Sequence, residues 1–122
     1  MILQTHGVQA TVFSRLIKAD QLLFVGYELQ NLVAVSVEQR SCCPLAILDP
    51  QNTELTLQEL HQRFAREALP HAFLIRGHGL TVWGDSIDSA KRHLDTWHFL
   101  IACELDRIKA CLLYTSPSPR DS

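Results

Sequence analysis

Two histidines and one glutamate stand where this sequence could do chemistry. His78 lies between two glycines in Arg76-Gly77-His78-Gly79, inside an apolar run from Phe73 to Gly84. His6 precedes Gly7, straight after the apolar opening Met1 to Thr5. Glu28 follows the run Leu22 to Val25 in Gly26-Tyr27-Glu28-Leu29-Gln30. Each sits at the end of a predicted strand. Were those strand ends to converge, two neutral imidazoles would be ligands for a zinc-type ion, and a carboxylate beside them would move protons. The glycines around His78 remove the Cβ bulk that would keep another backbone or a ligand at a distance, so the imidazole is presented rather than packed. The plainer reading, a strand-turn-strand whose histidine only meets its own hydrogen bonds, stays open on these residues alone. The other four histidines have ordinary surroundings. His61 lies beside Leu60 on a helix, His93 and His98 flank Trp97, and His71 follows Pro70 at a strand start.

The elements that must position these groups alternate between the two periodicities. Met1 to Thr5 reads as a strand entered without a preceding loop, and Val8 to Ile17 has helical spacing at Val8, Val12, Phe13, Leu16 and Ile17. Leu22 to Val25 and Pro44 to Leu48 are predicted as buried strands by continuous apolarity. Asn31 to Val37 fits helix and strand equally. Asp49 to Asn52 is a loop by its turn residues. Thr56 to Leu69 is predicted as an amphipathic helix capped by Thr56, with Glu59 completing a capping box and Pro70 ending it. After the strand pair around His78, Asp85 or Ser86 caps a long helix to about Ala110. Its stripe of Ile87, Ala90, Leu94, Trp97, Ile101, Leu105 and Ile108 makes Trp97 a core residue. Residues 111–122, rich in serine and proline, read as a disordered or adapter-derived tail set apart from the domain at 1–110.

The 122 residues fit one domain, and 47% apolar with 20% charged residues is ordinary for a globular chain. A net charge of −2 with dispersed basic residues argues against a nucleic-acid partner. The sequence has neither a membrane-spanning run nor a signal-peptide pattern, so no membrane association and a cytoplasmic location are expected. Cys42, Cys43, Cys103 and Cys111 show no CxxC spacing and read as buried or incidental thiols.

The segments ILQTHGVQATVFSRL, GYELQ and IRGHGLTVWG, followed by SAKRHLDTWHFLIACELDR, resemble in order and spacing the second half of the sugar-phosphate dehydratases of the class II aldolase and adducin superfamily. The resemblance covers residues 1 to about 110. It implies an α/β fold, part of a three-layer α/β/α arrangement with a mainly antiparallel central sheet. It implies a zinc-dependent dehydration of a methylthio-bearing five-carbon ketose phosphate in methionine salvage. A homotetramer with sites near subunit contacts is implied as well. Carried over residue by residue, His6 and His78 match two of three zinc-ligating histidines, and Glu28 matches the acid/base. Gln4 stands where the remaining histidine belongs, and an amide oxygen is a poorer zinc ligand than imidazole nitrogen. The family's phosphate-gripping Gly/Ser/Asn loops have no counterpart here. Two further readings follow from the resemblance: another class II sugar-phosphate aldolase or epimerase, and a non-catalytic adducin-like binding domain.

Overall fold

The computed structural model describes residues 1–64 and 68–115. Five strands, β1 (Ile2–Thr5), β2 (Gln21–Val25), β3 (Cys42–Leu48), β4 (Ala72–Ile75) and β5 (Gly79–Trp83), form one sheet in the order β1-β5-β4-β3-β2. The β1–β5, β5–β4 and β3–β2 pairs are antiparallel, while β3–β4 is parallel. The sheet is therefore mixed and mainly antiparallel. β1, β3 and β4 run one way, β2 and β5 the other. Pro44 has no N–H to give a ladder, yet lies in β3, an interior strand. It is tolerated because β4 pairs only from Ala46 onward, leaving Pro44 with β2 alone beside it.

Strand alternation divides the sheet into two faces. Phe24, Leu45, Leu74, Leu80 and Val82 point to one face, where α1 (Val8–Leu16) and α4 (Ile87–Thr115) close a core with Phe13, Trp97, Ile101 and Leu105. Trp97 is fully buried, packs edge-on against Phe24 at 5.2 Å between centroids, and donates its Nε1–H to the Pro70 carbonyl at 2.9 Å. It is core, as its place in the stripe predicted. The helix α3 (Thr53–Arg63) forms the third layer in the crossover from β3 to β4. None of its residues enters the α1/α4 core, and its Arg63 donates to the carbonyls of Ile47 and Asp20.

Three boundaries differ from the sequence reading. α3 is capped by Asn52, whose side chain accepts from Leu55 N at 2.9 Å, rather than by Thr56. Both are good cap residues, and Thr56 instead folds its hydroxyl back onto the Asn52 carbonyl. The predicted end of that helix falls partly on residues 65–67, outside the described residues. Asn31 to Val37 is neither helix nor strand throughout: a 3-10 turn over Glu28–Leu32 leads to the short α2 (Val37–Ser41), capped by Ser36. α4, capped by a reciprocal Ser86/Ser89 pair, runs past Ala110 to Thr115, because no glycine or proline interrupts Cys111 to Thr115. Residues 116–122 of the predicted tail lie outside the described residues. No helix among the described residues is long and apolar enough to cross a membrane.

Candidate functional site

β1 and β4 end on the same side of the sheet, with β5 between them, so His6 and the Gly77-His78-Gly79 turn are neighbours although far apart in sequence. The turn is built by its glycines. Gly77 has φ +76 and Gly79 φ +133, conformations that L side chains rarely adopt. Gly79 also meets β1 backbone: a Cβ there would overlap the Thr5 carbonyl oxygen and stand 3.0 Å from its carbon. The close approach read from the Gly-His-Gly pattern is thus real at Gly79. At Gly77 nothing approaches, and the glycine is required by φ alone.

His6 Nδ1 lies 2.5 Å from the His78 carbonyl. A carbonyl only accepts, so Nδ1 carries the proton and donates, which leaves the Nε2 lone pair available to a ligand. Both imidazoles are exposed, and they open on a cleft of about 170 Å³ lined also by Gln4, Pro50, Gln51 and Thr81. Gln4 sits across from Thr81 in the β1–β5 register and its Nε2 approaches the Thr81 hydroxyl at 3.5 Å, leaving the amide oxygen as an acceptor. Among the described residues no group of three His, Cys, Asp or Glu side chains gathers to hold a metal ion. What the cleft offers is two imidazoles and an amide oxygen. That donor set suits a borderline cation such as zinc in kind, and is weaker than three imidazoles.

Glu28 is elsewhere. It follows β2, which is the sheet edge opposite β1 and runs the opposite way, so the carboxylate lies at the other edge and the other end of the sheet. It is exposed in an open cleft of about 490 Å³ with Gly26, Asn31, Arg40 and Ser41. Within one chain, the structure brings together two of the three residues singled out from sequence and leaves the third apart.

Of the remaining histidines, His61 is exposed. His98 Nε2 bonds the Thr5 hydroxyl at 3.2 Å, bracing the residue before His6, a role no local spacing signalled. His71 and His93 stack at 4.0 Å between centroids, and their Nδ1 atoms donate to the carbonyls of Val33 and Trp83. Burial lowers the pKa of His93 below its usual 6.5, opposed by the bond to Trp83. Pro50 and Gln51 line the cleft from a stretch read only as a loop. The available signal was that β3 ends on the same side of the sheet as the two histidines, which requires the strand order.

The sequence defines the class of protein: this chain belongs to the class II aldolase and adducin family, whose N-terminal domain model matches residues 1–105. Within it the chain is 38% identical over 107 residues to a methylthioribulose-1-phosphate dehydratase of Cronobacter sakazakii, covering 87% of this chain and 55% of that protein. Dehydratases of the same name from Yersinia enterocolitica and Klebsiella pneumoniae are 39% and 38% identical over 110 and 108 residues. They cover 87% and 88% of this chain, and 51% and 54% of their own lengths. The chain spans about half the length of these curated relatives.

Proposed function

We propose that the chain forms the catalytic half of a hydro-lyase acting on 5-methylthioribulose 1-phosphate, with His6, His78 and Gln4 holding a zinc ion and Glu28 moving the proton. The observation that carries this is the His6–His78 pair, joined across β1 and the β4–β5 turn with one Nε2 left free for a ligand. The relatives supply the substrate by name. A bound divalent cation supplies electrophilic activation of the ketose carbonyl and so acidifies the neighbouring C3–H.

The chain's own groups do the rest. Glu28 takes the C3 proton as a general base. The C3–H electron pair forms the new double bond as the C4–O bond breaks, and the C4 oxygen leaves as water after receiving a proton. The enol then becomes a ketone, giving the 2,3-diketo-5-methylthiopentyl 1-phosphate. His6 is held in one tautomer by the His78 carbonyl, so its Nε2 needs no reorganisation to act as a ligand. Because Glu28 stands at the opposite corner of the sheet, on this reading it serves the histidine pair of another copy, in keeping with a homotetramer in the cytoplasm.

Complementation tests the whole reading. Glu28→Gln and His78→Ala variants, each inactive alone on methylthioribulose 1-phosphate, are expected to recover activity when mixed, up to about a quarter of the sites carrying both intact groups in a random assembly. Near wild-type turnover by Glu28→Gln alone, with metal bound, would remove Glu28 from the mechanism. A second reading, a non-catalytic binding domain, is favoured by Gln4 in place of an imidazole. Failure of the wild-type protein to bind zinc would select it, and product analysis separates dehydration from aldol cleavage or epimerisation.

A further inference from the structure

Arg76, two residues before the glycine-flanked histidine, is tied at once to the loop after β3, to the end of α1 with the residues that follow it, and to β3. Its Nε donates to Asp49 Oδ1 at 2.8 Å. Its Nη1 donates to the carbonyls of Ser14, at 2.8 Å, and Ile17, and its Nη2 to that of Ala19 at 3.2 Å. Its backbone N–H bonds the Leu48 carbonyl at 2.7 Å. The first of these anchors begins the loop whose Pro50 and Gln51 line the cleft. The carbonyls of Ser14 and Ile17 belong to the end of α1, the helix that starts directly after His6-Gly7, where the helix dipole favours a cation, and Ala19 follows it.

A second connection runs in parallel. Ser14 is fully buried, accepts the Gly77 N–H at 2.9 Å on its hydroxyl, and donates that hydroxyl to the Thr11 carbonyl at 2.7 Å. Thr11 in turn bonds the Gly7 carbonyl through both its N–H and its hydroxyl. The chain of contacts therefore runs His6-Gly7, Thr11, Ser14, Gly77-His78. A guanidinium can satisfy this set because its five donors are held in a planar fork, whereas an ammonium presents a point charge.

We propose that Arg76 is a positioning residue that fixes the distance between His6 and His78 by clamping the Gly77-His78-Gly79 turn to α1 and to the Asp49 loop. The inference rests on the reading of the cleft as a cation site. Its test uses the purified chain, Co²⁺ as an optical stand-in for zinc, and amide exchange at Gly77 and Gly79, which needs no metal.

Arg76→Gln is expected to weaken Co²⁺ binding about 10- to 100-fold, the usual scale for losing an outer support of a metal ligand, and to raise Gly77 exchange. Arg76→Lys should fall between it and the wild type. Arg63→Gln is the structural control: that guanidinium also caps carbonyls, those of Ile47 and Asp20, but away from the cleft. It should lower thermal stability with Co²⁺ affinity unchanged. If Arg76→Gln fails to fold, Ser14→Ala carries the test, since it deletes only the hydroxyl between Gly77 and α1.

A folded Arg76→Gln that binds Co²⁺ as tightly as wild type, with the same spectrum and unchanged Gly77 exchange, overturns the proposal. Wild-type protein that takes up no Co²⁺ overturns the cation reading instead. In that case faster Gly77 exchange in Arg76→Gln still supports the clamp, and unchanged exchange refutes it.

Discussion

Gly79→Ala should be far more damaging than Gly77→Ala, although the two glycines flank the same histidine. At Gly77 the added methyl meets nothing, and the cost is that of holding an L residue at φ +76, about 1–2 kcal/mol. At Gly79 two terms act together. The backbone sits at φ +133, beyond the left-handed helical well, for about 1–3 kcal/mol. The new Cβ also overlaps the Thr5 carbonyl and stands 3.3 Å from His6 Cα, a clash with backbone that no rotamer relieves. Overpacking of this kind costs roughly 1–3 kcal/mol more. The sum, about 2–6 kcal/mol, is a large part of the roughly 5–15 kcal/mol that holds a domain together. Urea unfolding of the two variants measures the difference. The strand that must yield is β1, a four-residue edge strand paired only with β5, so Gly79→Ala should also separate His6 from the His78 carbonyl and abolish zinc binding. Equal destabilisation by the two substitutions, or a Gly79→Ala protein that keeps zinc affinity, would refute the close β1 contact as the constraint on that glycine.

Gln4→His supplies a third imidazole and should raise zinc affinity at least about tenfold by isothermal titration, since imidazole binds zinc better than an amide oxygen does. Tyr27 donates its hydroxyl to Glu104 at 2.6 Å, and burial together with that bond pushes the phenol up to about 12. Phenolate absorbance should show a late phase that Tyr27→Phe removes. Bonds from Arg107 and then Tyr27 hold the Glu104 carboxyl below its usual 4.5, against burial. This stabilisation is full above the unfolded value and lost as pH falls through the folded one, so Glu104→Gln should cost about 1.5–3 kcal/mol at neutral pH and flatten the acid limb of a stability profile. His93 titrates low, chiefly from burial, so the folded state resists its protonation and stability falls as pH drops below 6.5. Histidine proton shifts in NMR, compared with His93→Gln, locate that transition.

What was legible in the sequence were features whose cause is local. The Gly-His-Gly pinch announced a tight approach because only a missing Cβ allows one, and Gly79 against Thr5 is that approach. The stripe from Ile87 to Ile108 announced the buried face at Ala90, Trp97, Ile101 and Leu105, because the helical period decides which side chains meet the sheet, while Ile87 in the first turn is exposed. The α3 cap slipped by one turn because Asn52 and Thr56 both carry suitable oxygens, and nothing short of the backbone trace chooses between them. Arg76 looked like one polar residue in an apolar run. Its partners at Ser14, Ile17, Ala19 and Asp49 are gathered by the packing of α1 beside β4, which no spacing encodes.

The separation of Glu28 from the histidines has the same origin and a larger consequence. Three strand ends beside polar residues suggest convergence, but whether they converge depends on strand direction and order, and both follow from long-range pairing. Here β2 is antiparallel to β3 and takes the far edge, so the carboxylate and the imidazoles occupy diagonal corners of the sheet. A two-fold contact that joined Glu28 of each chain to the histidines of the other would have to bury both corners in one interface. A head-to-tail contact, His6 and His78 of one copy against Glu28 of the next, uses each corner once and closes when the rotation between copies divides a full turn. On the proposed reading, the sheet order that breaks the site within one chain therefore favours a cyclic assembly that restores it.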